Sequence, residues 1–119
     1  SEGYRWKGPH CFGVVSAAAV CLPPGLSEDG LPEGWHQRTS AAIFAILATA
    51  KLNGHDAIVL SALGCGAFNN PPRLVARLFR HQLQLDLFRH CFQRVVFAIL
   101  DADGDNFRAF AHVFMAKGT

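Results

Sequence analysis

Ile58-Val59-Leu60-Ser61-Ala62-Leu63-Gly64-Cys65-Gly66-Ala67-Phe68-Asn69-Asn70-Pro71-Pro72 is the stretch on which the fold turns. An apolar run stops at Gly64-Cys65-Gly66. Two asparagines and two prolines then open an amphipathic segment in which Leu74, Val75, Leu78, Phe79 and Leu83 share a face. This order predicts a buried strand, a tight loop and a helix start, with Pro71 and Pro72 in the first turn and Asn70 as its cap. Such a junction presents backbone N–H groups above the strand end, which favours an anion.

Working outward, Trp35 to Asn53 carries Ile43, Phe44, Ile46, Leu47 and Ala50 on one broad face and predicts a helix stopped by Asn53-Gly54. Ala57 to Leu63 predicts a strand buried on both faces. Arg94 to Leu100 predicts another. Phe12 to Leu22, with Val14, Val15 and Val20, predicts an earlier one that contains the small-residue run Ser16-Ala17-Ala18-Ala19. Small residues there allow close approach to the backbone. Residues 23–34 hold three prolines and three glycines and predict a loop. Residues 86–93 read either as a continued helix or as a short turn. Phe107, Phe110, Ala111, Phe114 and Met115 repeat at helical spacing and predict a last helix. Alternating strands and helices imply an α/β fold built on a mostly parallel sheet with flanking helices, after a lead-in over 1–11. Ligands of such sheets bind beyond the carboxyl ends of the strands. Three segments share that edge: the one from Ser16, the one from Gly64 to Asn70, and the one from Asp101 to Phe107.

The 119 residues suffice for one small domain. Half are hydrophobic, which predicts a real core, and a formal charge of +2 gives no field specific for nucleic acid. No run is long enough to span a membrane. The first residue is Ser1, and an excised or processed piece of a longer chain is the expectation. Cys11, Cys21, Cys65 and Cys91 form no Cys-x-x-Cys pair and have no histidine at zinc-like spacing. Free buried thiols in a reducing, intracellular setting, cytoplasmic or nuclear, are expected.

Other chemistry is excluded by pattern. Gly64-Cys65-Gly66 lacks the third glycine of a dinucleotide fingerprint and the Gly-Lys-Ser/Thr of a triphosphate loop. Cys65 has no histidine near it in sequence to make it a nucleophile. Asp101, Asp103 and Asp105 fail as a calcium loop, because the glycine stands fourth and His112 replaces the bidentate glutamate. No cofactor or metal is expected. The histidines and the arginines of 73–80 read first as ordinary surface residues.

Asn53-Gly54-His55-Asp56 through Pro72, followed by Val75-Ala76 and Phe79, resembles the microbial-type poly(ADP-ribose) glycohydrolases, which are macrodomain proteins. Arg94 to Asp101 and Asn106-Phe107 through Phe110 resemble that family's last strand and helix, and Ser16 to Ala19 resembles its small-residue strand end. The resemblance covers about residue 12 to the end. It implies a partial three-layer macrodomain-like fold that binds ADP-ribose or a related nucleotide diphosphate, with ADP-ribose or an ADP-ribosylated protein as partner. Gly64, Cys65, Gly66, Ala67 and Phe68 would wrap the diphosphate through their N–H groups, with Asn69 and Asn70 closing the loop. Asp101, Asn106 and Phe107 would hold the adenosine end, and Ser16 and Ala17 would line the floor. Replacing Gly64 or Gly66 by valine is expected to abolish binding and leave the fold intact.

The family's catalytic half, an Asn-rich strand end, a triple-glycine loop and paired glutamates, has no counterpart here. The only glutamates are Glu2, Glu28 and Glu33. Hydrolysis through an oxocarbenium-like state needs a positioned carboxylic acid. The chain therefore resembles the C-terminal half of such a domain, binding without catalysis of its own. The alternatives are part of a glycohydrolase whose catalytic loop lies outside it, or an interaction module that has lost the ligand. Half a sheet leaves open edges, so the chain is expected to self-associate, to be completed by another chain or an upstream segment, or to have rewired its strand order.

Overall fold

The computed structural model describes residues 8, 11–100 and 104–115. A 3-10 turn, Glu28–Gly30, precedes helix α1 (Trp35–Leu52), strand β1 (Ala57–Leu60), helix α2 (Pro72–Leu83), strand β2 (Arg94–Phe97) and helix α3 (Asp105–Met115). β1 and β2 run parallel, with Ile58 opposite Val95 and Leu60 opposite Phe97. The βαβ unit and the α/β class follow the alternation in the sequence.

α1 forms because Trp35, Thr39, Ile43, Leu47 and Ala50 recur at helical spacing and are all buried. It stops where the Asn53 N–H and Nδ2 both donate to the Thr49 carbonyl and Gly54 turns left-handed at φ 78°. α2 buries Val75, Ala76, Leu78 and Phe79. Phe79 stands edge-on to Phe97 of β2, centroids 5.3 Å apart, and Phe97 packs in turn on Phe110 (5.1 Å) and Phe114 (4.8 Å) of α3. This aromatic seam fixes both helices to the face of the sheet that carries Ile58, Leu60, Val95 and Phe97. Residues 86–93 settle as consecutive turns anchored by the buried Phe88.

Several expectations are corrected. Phe12 to Leu22 is not a strand: residues 11–22 hold no regular structure, and Phe12 and Val14 are 80% and 77% exposed. A strand needs a neighbour; β2 takes one edge of β1, and the segment lies across a cavity from the other. β1 and β2 are shorter than expected and are covered on one face. On the opposite face Val59 is 70% exposed, so among the described residues the layers are a sheet and the helices on one side of it. In α3, Phe110 and Val113 are buried, while Phe107 and Met115 lie outside the packed stripe. Of the cysteines, Cys65 is buried, but Cys11 and Cys21 are exposed; all four are free.

Candidate functional site

The loop between β1 and α2 is two successive β-turns. The Cys65 N–H donates to the Ala62 carbonyl at 3.0 Å, and the Asn69 N–H to the Gly66 carbonyl at 3.1 Å. Gly64 is the third residue of the first turn, at φ 72°, the left-handed position that a type II turn reserves for glycine. A Cβ there would also sit 2.5 Å from the Ala19 Cβ and 2.6 Å from Asn70 Nδ2. Gly64 is thus needed for the turn itself, and the small run ending at Ala19 is what lets the turn close. The expectation that Gly64→Val spares the fold is corrected by this contact. Gly66 differs: nothing lies within 4 Å of the Cβ it lacks, so its open side faces free space.

Asn70 closes the loop from inside. Its Nδ2 donates to the carbonyls of Val20 (2.6 Å) and Gly64 (2.9 Å), and its Oδ1 accepts from Trp35 Nε1 at 2.6 Å. Its backbone N–H returns to the Gly64 carbonyl. The residue is 2% exposed. It is not the cap of α2: that position is Pro71, without a side-chain hydrogen bond, because both ends of the Asn70 amide are held elsewhere. Trp35 is the residue that sequence reasoning missed. Its only signal was that a buried indole N–H needs an acceptor.

Asn69 takes a left-handed conformation, φ 60°, one that asparagine tolerates. Its Nδ2 donates to the Leu22 carbonyl, and the Leu22 N–H donates to the Phe68 carbonyl. These bonds tie the loop to the segment leaving residues 11–21. On the other side Asn106, in the first turn of α3, donates to the Cys65 carbonyl at 3.3 Å. Phe107 follows it, 40% exposed. Asp101 lies outside the described residues. Ala17 lines a cavity shared with Ser61 and Leu63, just below the loop, and Ser16 is exposed beside it. Burial pushes the Cys65 thiol up to about 12, so it stays protonated and is no nucleophile at neutral pH.

What remains free at the loop is backbone. Gly66, Ala67 and Phe68 are exposed, and among the described residues no carbonyl accepts from their N–H groups. The Cys65 N–H, by contrast, is spent inside the turn. Consecutive unpartnered amides on a turn held rigidly from both sides suit an anion. Among the described residues no group of three or more His, Cys, Asp or Glu is placed to hold a metal. Nor is any helix long and apolar enough to cross a membrane.

No protein-family model and no curated protein matches the sequence. Solved structures do. Poly(ADP-ribose) glycohydrolase (PARG) from Deinococcus radiodurans in complex with ADP-ribose is 30% identical, over 73% of this chain and 37% of that one, with a TM-score of 0.62. The same enzyme in apo form gives a TM-score of 0.60 at 30% identity, over 73% of this chain and 37% of that one. PARG from Thermomonospora curvata is 34% identical, over 73% of this chain and 33% of that one, with a TM-score of 0.62. The chain therefore spans about a third of the length of these enzymes. The described residues share the fold of a segment of these PARG macrodomains.

Proposed function

We propose that the loop from Gly64 to Asn70 binds the diphosphate of ADP-ribose, and that binding is this chain's own contribution. The observation that carries the reading is the run of unpartnered amides at Gly66, Ala67 and Phe68, held from both sides by Asn70 and Asn106. The likeness to a PARG solved with ADP-ribose supports the same ligand. Phe107, beside the loop at the start of α3, offers its ring to the adenine, and Ser16 and Ala17 floor the site. Asn69 and Asn70 shape the loop and do not touch the ligand through their side chains. Glu28 and Glu33 are exposed, in the 3-10 turn and in the loop before α1, and neither is positioned as a general acid.

Isothermal titration with ADP-ribose tests this. Gly66→Val fills the free space above the loop and leaves the turn intact, so binding should fall at least ~10-fold, a loss of about 1.4 kcal/mol. The circular dichroism of the variant should match that of the parent. No heat at millimolar ADP-ribose, or unchanged affinity in Gly66→Val, overturns the proposal. Gly64→Val is unsuitable, because it breaks the turn whether or not a ligand binds.

A further inference from the structure

α1 packs beside α2, and a groove of about 620 Å3 opens between them. Its walls are two helical ridges. His36, Ser40 and Phe44 follow one another at i, i+4 and i+8 along α1. Arg77 and His81 stand at i and i+4 on α2, with Leu85 in the turn just beyond it. Ala41 and Leu78 line the space between the walls. The two helices run the same way, because Trp35 meets Asn70, Ser40 meets Gln82 and Phe44 meets Phe88 in that order. Gln82 is 6% exposed, and its Nε2 donates to the Ser40 carbonyl at 2.6 Å, which fixes the register. That register gathers His36, Arg77 and His81 toward one end of the groove and Phe44 and Leu85 at the other. From His36 to Phe44 the groove is about 12 Å long. Neither helix carries an acidic residue, whereas Arg38, Arg73, Arg77 and Arg80 all lie on them. Among the described residues the salt bridges are Asp86–Arg89 and Asp105–Arg108, so no carboxylate there pairs with any of these four arginines.

We propose that this groove binds an acidic amphipathic segment of a partner protein: about two turns of helix in which Asp or Glu residues precede a leucine or phenylalanine. The carboxylates face Arg77 and the imidazole N–H groups of His36 and His81. The apolar side chain covers Leu85 and the Phe44 ring, which is 43% exposed and held edge-on to Phe88. Charge complementarity selects the acid, since Arg73 extends the Arg77–His81 ridge by one more turn and no acid on either helix offsets it. The apolar end selects a peptide among anions. A nucleic-acid strand needs cations along its whole track, and none lines the half that holds Phe44 and Leu85. That half is about 6 Å long, room for a side chain and too short for an acyl chain. A helix laid in a groove is anchored by residues at this i, i+3, i+4 and i+7 spacing. The groove uses none of the residues of the Gly64–Asn70 loop and is independent of the ligand reading.

The test is fluorescence anisotropy with a synthetic peptide, fluorescein-Asp-Glu-Glu-Ala-Leu-Gln-Phe-Leu-amide. The peptide should bind the chain, and Arg77→Glu should weaken binding at least ~10-fold by reversing a charge on the groove wall. Ala41→Gln places a longer, uncharged side chain in the groove and should weaken it to a similar degree. Both positions are exposed on helices and both new residues favour helix, so the circular dichroism of each variant should match that of the parent. Added salt should weaken binding, because the groove is open to solvent. A peptide with Asn-Gln-Gln in place of its acids, and one with serine in place of its leucines and phenylalanine, should each bind at least ~10-fold more weakly than the first. Four results overturn the proposal. One is no binding at millimolar peptide. Another is binding unchanged by Arg77→Glu or by Ala41→Gln. The third is equal binding of either altered peptide. The last is tighter binding of an oligothymidylate of the same length, which assigns the groove to nucleic acid. None of these readouts involves ADP-ribose, so failure here and failure of the ligand proposal are distinguishable.

Discussion

The Asn70 carboxamide accepts from Trp35 on one side and donates to Val20 and Gly64 on the other, so one side chain ties α1, the segment after residue 19 and the loop together. Asn70→Ala leaves a buried indole N–H and the Val20 carbonyl without partners, while the Gly64 carbonyl keeps the backbone N–H of residue 70, and should cost about 2–3 kcal/mol. Asn70→Asp should cost more. A carboxylate keeps the Trp35 bond but cannot donate to either carbonyl, and it places a charge at a site that is 2% exposed. Urea denaturation of the two variants checks the order; equal or smaller loss in Asn70→Asp would show that the amide is not the clamp. Sequence made Asn70 look like a helix cap, because Asn-Pro-Pro before an amphipathic run satisfies every local rule for one. Its true partners lie 35 and 50 residues away and leave no local trace. The need for glycine at Gly64 was legible, since an apolar run ended by Gly-x-Gly demands a tight turn. That Ala19 is the atom it must make room for was not.

At the scale of elements, helices were read well and strands were read long. α1 and α2 carry their own periodicity, and α1 ends at Asn53-Gly54, a signal that needs no partner; the end of α2 after Leu83 has no such signal in the sequence. β1 and β2 stop after four residues each, because pairing lasts only as long as a neighbour does, and residues 12–22 form no strand beside them. The periodicity of α3 was right and its centre was not: the Phe79–Phe97–Phe110 seam draws Phe110 and Val113 inward and leaves Phe107 at the rim. Two truncations therefore separate core from rim. Phe79→Ala removes a ring that is 1% exposed and in contact with both β2 and α3, and should cost about 3–5 kcal/mol. That is comparable to the whole stability of many small domains, so far-ultraviolet circular dichroism should show the variant largely unfolded at 25 °C. Phe107→Ala should stay within ~1 kcal/mol of the parent. Its effect belongs to ADP-ribose titration, where loss of the ring should weaken binding. A Phe107→Ala variant that unfolds as readily as Phe79→Ala would place Phe107 in the core.

Over the whole molecule, the radius of gyration is 15.5 Å, where a compact domain of 119 residues has about 13.5 Å. The absence of Gly-Gly-Gly and Glu-Glu led to the expectation of a small sheet, and among the described residues the sheet has two strands. Which edge and face stay open depends on where β2 and α1 settle, and no single segment encodes that. A surplus of exposed surface has a calorimetric signature. Unfolding a well-packed chain of this length raises the heat capacity by about 1.4–1.8 kcal/mol/K. The whole chain exposes 8628 Å2, where a compact 12.9 kDa monomer exposes about 6,300 Å2, so roughly 2,300 Å2 more of its surface is already hydrated before unfolding. If it is ~60% apolar, as protein surfaces generally are, its apolar part removes about 0.6 kcal/mol/K from the change and its polar part returns about 0.2. Scanning calorimetry of the isolated chain should therefore give a value about 0.4 kcal/mol/K below the norm, near 1.0–1.4. A shallow denaturant slope should accompany it, because that slope follows the same newly exposed area. A heat-capacity change at the top of the normal range would mean that Val59, Val14 and Phe12 are covered in the free chain, and that its sheet has closed upon itself.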